Sequence, residues 1–328
     1  MAGRLAFLAV SLSIILSCLA AEASMIKVLI LDDVFQEIPA KGERIEKVGK
    51  LRGDLFVSGT HYVGDIEVWK GQGGMYLINE LPLEDYVKNV VNAEVPPSWD
   101  MEALKVQAVI ARTYALYQKS ANHNGNFDLT SSVLHQVYKG NAVDARIAYA
   151  VMHTEGEVLK YKGNLIEALY HSTCGGETED PAEVFGKSYP YMKPVSSHCE
   201  LSPYWIWERK IPAEEIEKAL DLHDIREIRI AAYTTTKRVK MVDILHRDGI
   251  AHIKATDLRK MLGWSRLPST NFTVGRDNDA FVFEGKGYGH GVGLCQWSAL
   301  EMAREGKTYR EILSFFYPGT QLKVYEGR

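Results

Sequence analysis

Two adjacent prolines, Pro96 and Pro97, dictate where the middle of this chain must turn. Proline cannot donate the helical hydrogen bond and its ring bars the preceding residue from helical geometry, so a pair of them forces a corner. The residues before it are helical in period, with Leu83, Tyr86, Val87, Val90 and Val91 on one face. Those after it offer Ser98 as a cap, carry Asp100 and Glu102 in the first turn, and align Leu104, Ala108, Ala111 and Ala115 on one stripe. Two helices are therefore expected to meet at a sharp corner, with Glu94 on the last turn before it.

On either side of this corner the pattern is that of strands. Residues 24–80 hold short β-type runs such as Ile26–Leu31 and Ile66–Trp69, broken by glycines, and form a β-rich lead-in. Beyond Asn122, Glu157–Tyr161 and Leu165–Tyr170 flank a Lys162-Gly163-Asn164 turn like a hairpin. Ala213–Leu220 reads as a short helix, Glu227–Ile253 as two or more strands, and Gln296–Glu305 and Tyr309–Tyr317 as closing helices. No repeat at a period of roughly 20–50 residues is visible, which excludes a solenoid. The expected class is α+β: a mixed unit over residues 81–328 with β-rich insertions, and no βαβ array.

Residues 1–23 read as an export signal. Arg4 gives a positive start, Leu5 to Leu19 an apolar stretch, and Ala21-Glu22-Ala23 a small-x-small cleavage site. The stretch is shorter than the roughly 20 apolar residues a spanning helix needs. The mature chain is expected to begin near Ser24 and to work in the periplasm or cell wall. Ile15-Leu16-Ser17-Cys18 loosely resembles a lipoprotein box, so acylation of Cys18 is the lesser alternative; Leu16 is bulky for that box. A net charge of −4 excludes a basic surface built to follow nucleic-acid phosphates. Beyond the leader stand Cys174, Cys199 and Cys295, an odd set in an oxidising compartment.

Three places carry side chains suited to chemistry. Glu94, pinned between an apolar helix end and the prolines, is placed for partial desolvation, which raises a carboxyl's pKa and suits it to donate a proton. Taken alone, a corner glutamate is as ordinary as a cap or a salt bridge. His171-Ser172-Thr173-Cys174-Gly175-Gly176 and His198-Cys199 together offer two histidines and two cysteines, which fit a zinc site or a Cys174–Cys199 disulfide equally well. The run Gly285–Leu294 has glycine at every second position, which is neither a dinucleotide fingerprint nor a phosphate loop. It implies close backbone approach, of another strand or of an extended ligand, with Tyr288 and His290 displayed between the glycines.

Several ordered blocks resemble the sporulation stage II protein D (SpoIID)/LytB family. They are Leu81–Val87, Ala93–Pro96, Glu102–Tyr114, Tyr170–Thr178 and Gly287–Ala299, with a weaker echo at Leu267–Phe272. The resemblance spans roughly Leu81 to Pro318 and implies a SpoIID-like mixed fold whose helical corner carries the catalytic glutamate at Glu94. The sporulation members are lytic transglycosylases, which cut the bond between N-acetylmuramic acid and N-acetylglucosamine in peptidoglycan glycan strands and leave a 1,6-anhydro end. The LytB branch is described instead as enhancing a cell-wall amidase, so a wall-binding enhancer without catalysis is the alternative. Lys105, Gln107 and Arg112 on the second helix, Tyr170, Ser172 and Thr178 around the Cys-Gly-Gly turn, and Tyr288, His290 and Gln296 from the glycine run are expected to line one groove. Zinc is associated with some members through His and Cys ligands, which implies a closed structural site on His171, Cys174, His198 and Cys199. Cys295 stands where serine is expected and is given no role.

Overall fold

The computed structural model describes residues 24–31, 38–40, 43–123, 125–133, 135–140 and 143–326. The expected leader, Cys18 included, lies outside the described residues.

Five strands form the largest sheet, in the spatial order Glu46–Leu51, Asp65–Gly71, Gly74–Pro82, Met25–Leu29 and Leu129–Thr130. Neighbours run antiparallel except for the last pair, which is parallel. Alternation along the strands sends Ile26, Val28, Ile66 and Leu81 into the main core, while Leu29, Tyr76 and Ile78 pack on the opposite face with Ile45.

Strand Gly74–Pro82 runs directly into helix α1 (Leu83–Glu94). Glu84 and Asp85 occupy its first turn, where carboxylates oppose the exposed N–H groups. The helix ends as the prolines require: the Val95 N–H still reaches Val91, but Val95 itself is extended, with φ −138°. The turn Pro96–Trp99 closes on a 3.1 Å bond from the Trp99 N–H to the Pro96 carbonyl and delivers Asp100 to the start of α2 (Met101–Ala121). Asp100, not Ser98, is therefore the cap, its side chain accepting from the Glu102 N–H.

The other helices are α3 (Ala145–Met152), α4 (Pro181–Phe185), α5 (Ala213–Leu220), α6 (Ala255–Leu262), α7 (Gln296–Arg304) and α8 (Tyr309–Phe316). The helices α1, α3, α7 and α8 pack around α2, which is why α2 is apolar on most of its circumference. Residues 207–285 build a second core. Strands Trp207–Pro212, Phe272–Asp277 and Ala280–Gly285 make one sheet and Glu227–Tyr233, Val239–His246 and Gly249–Lys254 another, closed by α5 and α6 over Ile211, Ile216, Val242, Leu258, Phe281 and Phe283.

The architecture is mixed α+β, as the sequence pattern implies. One detail differs. After the turn at Lys162 and Gly163, both at positive φ, the hairpin pairs only through Asn164–Leu165. Tyr170–His171 leaves it and pairs in parallel with Leu294–Cys295, because Ile166 and Ala168 are drawn into the main core. Among the described residues no helix is long and apolar enough to cross a membrane.

Candidate active site

The two-residue ladder between Tyr170–His171 and Leu294–Cys295 organises the site. It exists because the glycine run lets another strand approach. Gly293 sits at φ +71°, and a Cβ there would come within 2.0 Å of the Leu169 carbonyl; Gly289, at φ +113°, would meet the His171 Cβ at 2.8 Å. Of the two occupants the run permits, the structure supplies the strand. Residues paired across a parallel ladder share a face and successive residues alternate, so Tyr170 and His171 point to opposite sides.

On the Tyr170 side stands Glu94, the last residue of α1. Its Oε1 accepts from the Val137 N–H at 3.1 Å and its Oε2 from the Gln296 Nε2 at 3.3 Å, and the Tyr170 hydroxyl also bonds to it. Gln296, the first residue of α7, is shared: it also donates to the Gln107 Oε1 on α2 at 3.2 Å. Gln136 donates to the Tyr170 hydroxyl at 3.3 Å and accepts from Tyr86 at 3.0 Å, which fixes the ring from behind. Burial pushes the Glu94 carboxyl above its ordinary range, and the three donors only partly offset this. Trp297, next to Gln296, packs edge-on against Trp99 in the proline corner with ring centroids 5.1 Å apart, holding α7 to that corner.

The structure thus gathers Glu94, Gln107, Tyr170 and Gln296. Other expected members lie elsewhere. Arg112 is fully buried, with its Nε on the Glu84 Oε1 at 2.8 Å and its Nη2 on the Oε2 at 2.6 Å. Lys105 pairs with Glu102 at 2.7 Å and lies over the Tyr309 ring. Thr178 is buried and exchanges bonds with the Val195 backbone. Ser172 bonds to Thr173, and Tyr288 stacks at a tilt on Tyr204. His290 accepts from the Val292 N–H and faces His171 and Phe185; burial holds its imidazole well below the usual range and so neutral.

On the other side of the ladder the cysteines meet. The Cys174, Cys199 and Cys295 sulfurs lie within 4.8 Å of one another, all buried. The neighbouring Cys199 and Cys295 hold the Cys174 thiol below its ordinary range. His171 donates through Nδ1 to the Val292 carbonyl, 3.0 Å away, while its buried Nε2 has no hydrogen-bond partner among the described residues. His198 is not part of this group: its side chain is 80% exposed and pairs with Glu200. Thiolates are donors that zinc prefers, so the three sulfurs fit part of a zinc site, with Cys295 in the group and His171 and His198 outside it. Sequence reasoning also missed Gln136 and the Val137 N–H, which sit in a segment without periodicity and give no signal. Cys295 did leave one, since an odd number of cysteines cannot be used up by disulfides.

The model of a family described as stage II sporulation protein (SpoIID) matches residues 71–161, which include Glu94, Gln107 and Val137. A domain of unknown function (DUF8618) matches residues 198–293, the region of the second core. An uncharacterised protein of Brachyspira hyodysenteriae is 34% identical over 93% of this chain and 86% of its own length. The stage II sporulation protein D of Bacillus subtilis is 30% identical over 75% of each chain. An amidase enhancer of the same organism is 29% identical over 73% of this chain, which spans only 40% of that longer protein.

Proposed function

Because this chain belongs to the stage II sporulation protein D family, we propose that it is an exported lytic transglycosylase that cuts peptidoglycan glycan strands with Glu94 as its only acid and base. The observation that carries the reading is a desolvated carboxyl held by three hydrogen-bond donors. Among the described residues no second carboxylate contributes to its raised pKa. Most hydrolytic glycosidases need a paired carboxylate to act as nucleophile or to activate water. A lone acid/base fits a reaction that consumes no water.

In that reaction protonated Glu94 gives its proton to the glycosidic oxygen as the bond from this oxygen to the anomeric carbon of N-acetylmuramic acid breaks. The C6 hydroxyl of the same sugar then attacks the anomeric carbon, and the Glu94 carboxylate takes the hydroxyl proton. The enzyme returns to its starting state, one C–O bond has replaced another, and the product ends in a 1,6-anhydro ring. Val137, Tyr170 and Gln296 serve the middle of the cycle, since their bonds favour the carboxylate that exists only after the first transfer.

Mass spectrometry of isolated peptidoglycan digested by the purified chain tests this. Anhydro-muramic ends are expected; ordinary reducing ends would make the protein a hydrolase. An intact glycan together with a stimulated amidase would favour the enhancer reading, which rests on the 29% identical amidase enhancer.

The raised pKa of Glu94 also sets a pH profile. The competent free enzyme carries the proton, so kcat/KM should hold through the pH range where an ordinary glutamate of pKa 4.5 has already ionised. It should fall only as pH rises through the elevated value. A descending limb centred at or below the ordinary value would remove Glu94 from the role of acid.

A further inference from the structure

We infer that a cavity between α4 and the second core binds the free end of a peptidoglycan stem peptide, with its terminal carboxylate at the start of α6 and an ammonium group at Asp257. The inference rests on the reading of the chain as a wall enzyme, since it names a second part of the same polymer. The cavity has a volume of about 420 Å³, which is ordinary for a small-molecule site. Phe185 stands on its α4 side, and Lys254, Thr256, Asp257 and Thr270 on the side of the second core. The Lys240–Glu183 ion pair, 2.8 Å long, ties the two sides together.

Two independent observations point to a carboxylate. Helix α6 starts after Lys254 with no side-chain cap, so the N–H groups of its first turn lack an acceptor and present the positive end of the helix dipole. Thr270, 8% exposed, lines the same cavity, and its hydroxyl has no hydrogen-bond partner among the described residues. A hydroxyl buried without a partner is costly, and an acceptor on a ligand would remove that cost. Lys254 adds a positive charge that no ion pair uses among the described residues. Capture of a terminal carboxylate by backbone N–H groups is a recurring mode of peptide recognition.

The remaining charges decide what else the ligand carries. Glu179, 1% exposed, is already satisfied by the Thr234 and Thr236 hydroxyls, each at 2.6 Å, and Glu183 by Lys240. Asp257 has no ion-pair partner among the described residues, Lys254 included. One cation and one anion therefore stand open on the same wall, which fits a zwitterion better than a simple anion or a neutral sugar. A stem peptide carries both groups, the carboxylate of its last residue and the side-chain amine of its diamino residue. Phe185 gives the cavity an apolar wall and packs edge-on against His290, with ring centroids 5.3 Å apart. The glycine run that holds His290 leads on to Gln296, so one segment adjoins both the cavity and Glu94.

Calorimetric titration of the full chain with a synthetic stem tetrapeptide (L-alanine, γ-D-glutamate, L-lysine, D-alanine) tests this. The peptide should bind, and amidation of its terminal carboxylate should weaken binding about tenfold or more, the share of a hydrogen bond to a charged group. Thr270→Val should weaken the unmodified peptide by a similar factor and leave cleavage of peptide-free glycan unchanged. Acetylation of the lysine amine should weaken binding to the parent protein but not to Asp257→Asn. Should Thr270→Val fail to fold, the amidated and acetylated peptides decide with the unaltered protein. Absence of binding, equal binding of the amidated peptide, or displacement by peptide-free glycan overturns the assignment. Tighter binding of an L-alanine-ended peptide would make a protein tail the occupant and overturns it too. Titration reads no cleavage, so its failure leaves the transglycosylase reading untouched, while bound peptide without anhydro-muramic products removes the enzyme alone.

Discussion

Glu94→Gln should abolish release of anhydro-muramic products while leaving the protein folded. Glutamine matches the glutamate in shape and still offers an oxygen to the Val137 N–H, but it can neither give nor take the proton. General acid–base catalysis contributes about 10²–10⁴-fold, and in the proposed cycle one residue supplies both halves, so the expected loss belongs at the upper end. The same substitution should not destabilise the fold at neutral pH. The pKa of Glu94 is raised on folding, so the stability linked to its proton is fully present below the unfolded value and is lost as pH rises through the folded one. Glutamine never incurs that loss. Melting curves should show the variant at least as stable as the parent at neutral pH, with the gap closing in acid. Cleavage that survives in a folded Glu94→Gln protein would end the proposed mechanism.

The second large effect concerns stability alone. Glu84→Ala should cost about 3 kcal/mol, because it leaves the Arg112 guanidinium buried without its carboxylate. Arg112 has no exposed surface and Glu84 only 26%, which places the cost at the lower end for broken buried pairs. The remaining partners, chiefly the Glu157 carbonyl at 3.1 Å, bring no charge. The double variant Glu84→Ala/Arg112→Met should recover much of the loss, since an apolar side chain of similar length needs no counter-ion. Denaturant midpoints of the three proteins settle this, and a single variant as stable as the parent refutes it. Activity of the double variant carries separate information. Arg112 is sealed off, so kcat/KM should persist; a selective loss of kcat/KM would show that the guanidinium serves the glycan.

These residues also show what could be read from the sequence. The proline pair and the apolar stripes fixed the corner between α1 and α2 because backbone sterics and helical period are local. The place of Glu94 at that corner was visible for the same reason, while its catalytic role was suggested only by the family resemblance. Arg112 was not readable: its place off the apolar stripe of α2 suggested a free polar face, but α3 and the strand Glu157–Tyr161 cover that face. Gln136 and Val137 were invisible because their positions follow from tertiary packing and from no repeating pattern. His198 illustrates the reverse error. Its adjacency to Cys199 looked like a ligand pair, yet Cys199 turns inward and His198 faces water.

The glycine-lined ladder has a consequence for the order in which the proposed site assembles. It joins Glu94 to Gln296 across 202 residues of chain, with the whole second core strung between its two strands. Closing so long a loop is paid in entropy before any contact rewards it, and contacts of high sequence separation form slowly. The helical corner can condense early from neighbours in the chain, whereas the amide that grips its carboxyl arrives from the far end. Refolding followed by tryptophan fluorescence and by cleavage should therefore show structure first and activity later, the lag being the time needed for α7 to dock.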